Sequence, residues 1–356
     1  MTLMDEPSQQ VQELLEQCLQ ALDSRDDFSA RDLIQRAEAI AATAGPLAVA
    51  NTALISGMVE QSVGDTAAAS RRFQEAAAHT RHQLADPDGV CLYLEACTLL
   101  GALHRSQGQY DQAERVLHSA LTHTEGAPAY PLDLAAVYNE LGVAGKYAGR
   151  FDQAAHSYRQ ALALLQATLS PDDLRLATLY HNLGGLAYAR GDYKAAEKPA
   201  RLAVAIREES LGPSHPDVAA DRAALAPILF ELGQTDEAEH LLREALAVFE
   251  DFYGPEHYET AITLSNLAAI VQDRDDTTEA ETCYQRAVAI LETVLGPRHP
   301  DLAPVLHNLA HLRRRRNDHD SAHALNERAR ALLQDAVQPG HPTLTAINDA
   351  MAEKQT

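Results

Sequence analysis

The chain has 356 residues, of which 46% are hydrophobic, and carries 29 basic against 51 acidic residues, for a formal net charge of −22. This composition argues against a disordered chain, and so strong a negative charge disfavours binding to nucleic acid or to an anionic membrane surface. The first residues lack a basic flank with a long apolar run, and no stretch approaches about 18 uninterrupted apolar residues, so we expect a cytoplasmic protein without a signal peptide or spanning helix.

In chain order, residues 1–9 are expected to form a tail, and pairs of alanines seven residues apart then recur along the chain. Seven residues are close to two helical turns, so both members of a pair lie on one helix face, where a small side chain lets a neighbouring helix approach closely. The pairs are Ala30/Ala37, Ala69/Ala76, Ala113/Ala120, Ala154/Ala161, Ala196/Ala203, Ala238/Ala245, Ala280/Ala287 and Ala322/Ala329. They predict about eight repeats, and the later repeats are spaced by 42 residues.

Each alanine pair follows a first predicted helix and a turn residue. The first helix carries a Leu-Gly or Leu-Ala step, seen at Leu183-Gly184 and Leu267-Ala268. The turn residues are Gly64, Gly108, Gly149, Gly191, Gly233, Asp275 and Asn317. Such a turn favours the left-handed conformation, which glycine accepts freely and Asn or Asp tolerates best among the other residues. Each repeat is therefore predicted to be a helical hairpin, and the first is the weakest because Arg25 occupies the turn position.

A Gly-Pro-x-His loop joins the later repeats. It reads Leu-Gly-Pro-Ser-His-Pro-Asp over residues 211–217 and returns as Leu-Gly-Pro-Arg-His-Pro-Asp over residues 295–301. Its recurring histidines are His215, His257, His299 and His341. Whole repeats separate these histidines by about 10 Å or more, which is too far for shared metal ligation. We expect them to shape the loops.

Together these features resemble the tetratricopeptide repeat (TPR), and the 42-residue period with its loop resembles the kinesin light chain subgroup. The resemblance covers roughly residue 10 to the end and is most specific from 134 to 342. It implies an all-α fold, a right-handed superhelical solenoid of about eight stacked hairpins over residues 10–341, best defined over 134–341. Residues 342–356 then form a capping helix and tail. The coiled-coil heptads of kinesin light chains are absent, so a motor role is not implied.

The resemblance also implies that the first helices line a concave groove, where an Asn before the Leu step hydrogen-bonds the backbone of an extended peptide. That position holds Asn182, Asn266 and Asn308, whereas Glu140 and Ala224 interrupt the series. An amide suits this role because it offers a donor and an acceptor to any peptide unit. The alternative is that each Asn bonds a neighbouring helix.

Further polar residues are expected in the groove. These candidates are Asn139, Tyr180, His181, Arg222, Ser265, His307, His311, Arg314 and Arg315. His307 and His311 are spaced by one helical turn, as in some metal sites, but no other ligand has a matching spacing, so no metal is predicted. The run Arg313–Arg316 either complements the end of its helix dipole or provides arginines that bind a carboxylate or phosphate of a ligand.

No motif of a phosphate-binding loop, a nucleophilic serine or a zinc site is present, and we expect no cofactor. The leading hypothesis is a protein- or peptide-binding scaffold whose partner is basic or carries a free carboxylate. One alternative is an enzyme in which Glu140 and His181 act as general acid and base and Arg222 holds an anion. Another is a peptide-sensing regulator that acts on a partner protein.

Two features depart from the regular repeat. Pro199 and Pro227 fall inside predicted helices, where a proline removes a hydrogen bond; they either kink the middle of the groove or are tolerated drift. After Pro342, Leu344 and Ile347 follow helical spacing. We expect this last helix to cap the array, with homo-oligomerisation through it as the alternative.

Overall fold

The computed structural model describes residues 6–127 and 130–352, and these ranges contain 17 α-helices and no strand. The predicted all-α fold of stacked helical hairpins is confirmed. The helices are α1 (Glu6–Asp23), α2 (Asp27–Ala44), α3 (Pro46–Ser62), α4 (Thr66–Thr80), α5 (Pro87–Ser106), α6 (Tyr110–His123), α7 (Pro131–Tyr147), α8 (Phe151–Thr168), α9 (Leu174–Ala189), α10 (Tyr193–Leu211), α11 (Pro216–Glu231), α12 (Thr235–Phe252), α13 (Tyr258–Asp273), α14 (Thr277–Leu295), α15 (Leu302–Arg315), α16 (His319–Leu333) and α17 (Pro342–Ala352). None of them is long and apolar enough to cross a bilayer, within the ranges described.

Successive helices pair into hairpins, from α1–α2 to α15–α16, and α17 follows the last of them. The second helix of every hairpin carries one predicted alanine pair, and all sixteen alanines are buried. Glycines on the first helix of a hairpin pack closely against the second helix, next to these alanines. A Cβ added at Gly142 would lie 2.3 Å from Cε1 of the buried Tyr158, and one at Gly57 would lie 2.5 Å from Phe73. These glycines therefore set the distance between the paired helices.

The turns inside the hairpins have the predicted left-handed backbone. All five glycines at this position have a positive φ, from 71° at Gly108 to 84° at Gly64. The three other occupants also adopt it, with φ of 58° at Arg25, 63° at Asp275 and 62° at Asn317. The first repeat thus keeps the turn geometry without the glycine.

The helices group into two compact units, the first ending at Leu141 and the second beginning at Gly142. In the first unit, Val11, Leu15 and Ile34 belong to a core formed by α1, α2 and α3. In the second unit, one continuous core extends from Ala196 on α10 to Ile347 on α17. Leu344 is also buried there, as expected of a capping helix, so no second chain is needed to cover the apolar face. Neither Pro199 nor Pro227 interrupts its helix.

The loop histidines lie at or shortly before helix starts of the second unit: His215 and His257 directly precede α11 and α13, and His299 lies three residues before α15. His215, His257 and His299 each accept, through Nδ1, the backbone N–H two residues later, at 3.1, 3.3 and 3.2 Å. This contact satisfies one of the free N–H groups at a helix start. Their predicted role as loop-forming residues is confirmed.

His341 has a different role, because its loop closes the second unit on itself. The N–H of Gln338 donates to the carbonyl of Ala148 at 3.0 Å. The His341 ring packs beside Gly149 and at 6.3 Å, centroid to centroid, from the Phe151 ring. Burial lowers the pKa of His341, whose Nδ1 has no partner among the described residues. The loop before α17 thereby contacts the turn between α7 and α8, four repeats earlier.

Candidate functional site

The first helices of the hairpins form one layer in the second unit. Helices α9, α11, α13 and α15 contact each other in sequence, whereas the second helices of the same hairpins make no comparable contacts within the described residues. In a curved stack, the layer whose helices touch lies on the inside of the curve. We call the exposed side of these four first helices the inner face.

A buried ionic cluster lies beneath the inner face. The side chain of Asp221 on α11 has no exposed surface and accepts hydrogen bonds from His181 Nδ1 at 2.7 Å and from Arg207 Nη1 at 2.5 and 2.6 Å. Arg207 also donates to Thr178 Oγ1 at 2.7 Å. The cluster joins α9, α10 and α11, fixes the orientation of His181, and balances the buried negative charge.

Arg207 was not among the predicted residues, although the repeat contains a signal for it. At its position, the other hairpins of the second unit have apolar residues, among them Leu165 and Phe249. At the position of Asp221, the other first helices from α7 to α15 have Val137, Leu179, Thr263 and Val305. Opposite charges at two core positions indicate a buried ion pair, because an unpaired charge there would be costly.

Glu259, at the start of α13, is another inner-face residue that the sequence reasoning missed. Burial raises the pKa of its carboxyl, an effect that His181 opposes and Asp217 reinforces. No hydrogen bond or ion pair to this carboxylate is found in the described part of the chain. Glu259 is therefore a half-buried acidic group that remains available to a cationic group of a ligand.

The predicted asparagine series divides into two kinds. Asn266 on α13 and Asn308 on α15 are half-buried, and neither side chain makes a hydrogen bond within the described ranges. Asn182 on α9 is buried and has an interaction partner, and so has Asn139 in the first unit. The structure thus leaves two of these amides, one repeat apart, free to bind a ligand.

The predicted histidines of α15 bond different neighbours. His307 Nδ1 donates to Asn326 Oδ1 at 2.9 Å, and His311 Nδ1 accepts from Gln272 Nε2 at 2.9 Å. Burial, followed by the nearby arginines, lowers the pKa of His311. Ser265 is buried on α13. In the described residues, no group of three metal-ligating side chains is present.

The run Arg313–Arg316 is engaged with the preceding hairpin. Two of its members bind Glu281 on α14, and Arg315 donates to Asp275 Oδ1 at 2.7 Å. Arg314 is half-buried and also has a partner. These contacts tie the last hairpin to α13 and α14, so an anion would compete with carboxylates already bound.

Arg222 secures a loop and is not part of the His181 cluster. Its Nη1 donates to the Pro213 carbonyl at 3.1 Å. The equivalent carbonyls one and two repeats later accept from Arg286 and Arg328 on second helices, each at 3.1 Å. Glu244 occupies the matching position in this repeat, so Arg222 supplies the missing guanidinium from the first helix.

The last two predicted site residues, Glu140 and Tyr180, each contact a neighbouring side chain. Glu140, in the first unit, is buried and accepts from Arg105 Nε at 2.5 Å. Burial raises the pKa of Glu140, while Arg105 opposes the shift. The hydroxyl of Tyr180 accepts from Gln166 at 3.4 Å, and its ring lines a cleft between α8 and α10. The structure places Tyr180 on the side of α9 that faces the second helices.

Comparison with protein families finds one match. A family model described as tetratricopeptide repeat matches residues 94–167, 133–209, 175–251, 219–293 and 259–335. No curated protein sequence matches the chain. The family matches cover all of the inner face.

Solved structures with similar folds include two of Rap proteins. A Rap protein complexed with competence and sporulation factor has a TM-score of 0.63 and 15% identity, covering 98% of this chain and 99% of that chain. The Rap conjugation gene regulator of plasmid pLS20, in complex with the Phr* peptide, has a TM-score of 0.62 and 16% identity, covering 93% and 98%. A kinesin light chain-like protein of Podosopora anserina, with nearly identical TPR-like repeats, is 26% identical over 57% of this chain and 95% of its own, with a TM-score of 0.42. The two Rap structures show a shared fold.

Proposed function

The chain belongs to the tetratricopeptide repeat family, and on this premise we propose that it is a non-enzymatic binding protein whose inner face holds an extended segment of a partner protein. The observation that carries the proposal is the pair of free amides on that face, Asn266 and Asn308. Each amide can donate to a peptide carbonyl and accept from a peptide N–H, whatever the side chains of the segment. Their equivalent positions on adjacent first helices suit a backbone that runs across the layer.

The charge of the inner face favours a basic segment. Glu259 is half-buried and forms no ion pair with a side chain among the described residues, and Asp217 lies close enough to raise the pKa of its carboxyl. A lysine or arginine of the segment would satisfy this carboxylate. The net charge of −22 would also steer a basic partner towards the chain. A ligand carboxylate is the less favoured choice, since Arg315 is already bound to Asp275.

Two proteins of the same fold support a peptide as the ligand class. One Rap structure contains competence and sporulation factor, and the pLS20 regulator contains the Phr* peptide. A peptide-sensing regulator would use the same inner face, so this alternative differs from a scaffold only in the consequence of binding. Both alternatives require the free amides.

We do not propose the acid–base enzyme. That mechanism requires Glu140 and Arg222 to act with His181. Instead, Glu140 is paired with Arg105, and Arg222 donates to the Pro213 loop. Each of the three residues is occupied by separate neighbours.

The proposal can be tested with phage-displayed random peptides selected on the wild-type chain. We expect a class of basic peptides whose affinity falls at least about tenfold in Asn266→Ala/Asn308→Ala, because each lost hydrogen bond weakens binding by about 1 kcal/mol. The matched control is Gln153→Ala/Gln160→Ala, which removes two exposed amides from the second helix α8. Equal affinity for the wild type and the asparagine variant would contradict the proposal.

A further inference from the structure

A second surface lies on the opposite side of the layer of first helices. It is a cleft of about 450 Å³ between α8 and α10, with α9 as its floor. Leu183 and Leu186 line the floor, and Leu202, which is 37% exposed, lies on the α10 wall. We call this surface the outer cleft. Its apolar lining distinguishes it from the polar inner face.

At the next repeat boundaries, an arginine bridges the second helices. Arg201 on α10 donates to Glu197 of its own helix at 2.9 Å and to Glu237 on α12 at 3.0 Å. The same set recurs one repeat later, at 3.1 and 3.0 Å, in Arg243, Glu239 and Glu279. The bridge therefore spans neighbouring second helices at two successive boundaries.

At the outer cleft, the arginine is retained and both of its carboxylate partners are missing. Arg159 on α8 occupies the bridging position, but the counterparts of the two glutamates are Ala155 and Ala195. Its Nε donates to the Ala155 carbonyl at 3.1 Å, and its guanidinium pairs with no carboxylate among the residues described. The cleft thus has an exposed, uncompensated cation at its edge, in a chain with a net charge of −22.

The rest of the rim is also mainly basic. Lys198 forms no ion pair within the described ranges, and Arg190 binds the exposed Asp152 at 2.5 Å. The one acidic group of the lining, Asp192, already accepts the N–H of Ala195 as a helix cap. Positive charge around an apolar cleft is complementary to a ligand that is apolar and acidic.

Pro199 belongs to the same wall and removes one hydrogen bond from its helix. A proline inside a helix cannot donate to the carbonyl four residues earlier, which here is that of Ala195. That carbonyl therefore lacks its usual helical donor. The proline, which departs from the repeat pattern, thus lines the cleft.

We propose that the outer cleft binds a segment of a partner protein that inserts an apolar side chain against Leu183 and Leu186 and presents a carboxylate to Arg159. The ligand carboxylate replaces the glutamates found at the neighbouring boundaries, and an arginine fork binds such a group bidentately. This site is separate from the inner face and differs from it in the charge of its ligand.

The test uses phage-displayed random peptides that are selected on the wild-type chain and counter-selected on Ala155→Glu/Ala195→Glu. That variant restores the intramolecular bridge to Arg159 and so blocks the cleft. We expect a class of peptides in which Asp or Glu adjoins a large apolar residue, with affinity reduced at least about tenfold in the counter-selection variant and in Arg159→Ala. Arg201→Ala, the matched change at the next boundary, and Asn266→Ala/Asn308→Ala should leave this affinity unchanged.

Three results would overturn the proposal. One is the absence of any peptide class that distinguishes the wild type from the bridged variant, provided that both give the same unfolding midpoint. Another is a class that is lost with Asn266→Ala/Asn308→Ala and not with Arg159→Ala, which would assign all binding to the inner face. A third is concentration-dependent dimerisation that Arg159→Ala abolishes, which would assign the cleft to a second copy of the chain.

Discussion

Removing the carboxylate of Asp221 should destabilise the second unit strongly. In Asp221→Ala, Arg207, whose side chain is 12% exposed, keeps its buried charge and loses the one ion-pair partner that it has among the described residues. Breaking a buried ion pair from one side costs about 3–5 kcal/mol. His181 loses its acceptor as well but is 32% exposed and can bond water. We therefore expect the free energy of unfolding to fall by about 3 kcal/mol, the lower end of that range.

Urea unfolding followed by circular dichroism measures this loss. Asp217→Ala is the matched control, because Asp217 lies one turn earlier on α11 and its side chain is 57% exposed. Its favourable interaction with the helix dipole is worth only about 0.3–1 kcal/mol. A free energy of unfolding for Asp221→Ala within about 1 kcal/mol of the control would refute the reasoning.

The same reasoning predicts that replacing both charges is tolerated. Arg207→Leu/Asp221→Val restores residues found at the equivalent positions, Leu165 and Val137. Well-packed apolar residues often replace a buried ion pair at no cost. The double variant should therefore be more stable than Asp221→Ala, and the opposite order would show that the cluster contributes more than charge balance.

Three further predictions concern packing and pH. Gly142→Ala should lower the free energy of unfolding in urea by about 1–3 kcal/mol, because the added Cβ meets the buried Tyr158 ring. Gly340→Ala, whose added Cβ has no atom within 4 Å, should not lower it, and equal stabilities of the two variants would contradict this. Glu259→Gln should stabilise the fold at neutral pH, because burial raises the carboxyl pKa and the ionised form opposes folding. The gain in the free energy of unfolding should shrink as pH falls through that pKa. Binding of the selected basic peptides to this variant should weaken at least about tenfold. Because burial lowers the pKa of His341, its loop contact should be stable above about pH 6.5 and weaken as pH falls below it. Protection factors for hydrogen exchange in the turn between α7 and α8 that stay constant down to about pH 5 would contradict this.

The sequence predicts the features of this fold that recur in every repeat. The alanine pairs are buried between packed helices, so their spacing in the sequence indicates which helix face is packed. The turn position requires a left-handed backbone, and the predicted Asp275 and Asn317 have it. Even Arg25, the least suitable occupant, has it, because the surrounding hairpin determines the turn conformation.

The features that the sequence does not predict depend on contacts outside the period. Closure of the second unit joins residues four repeats apart, His341 and Phe151, and a repeat spacing reports only on neighbours. Arg222 was expected beside His181 because both belong to first helices. It instead compensates for Glu244 on a second helix, and only aligning each position with its counterparts reveals such an exchange.

The most direct test of the central claim is a co-crystal structure of the chain with a basic peptide selected on it. We predict an extended peptide backbone along α13 and α15, with the side-chain amides of Asn266 and Asn308 about 3 Å from peptide N–H or C=O groups. A lysine or arginine of the peptide should contact Glu259. A peptide bound away from the inner face, or bound there with neither asparagine in contact, would contradict the account.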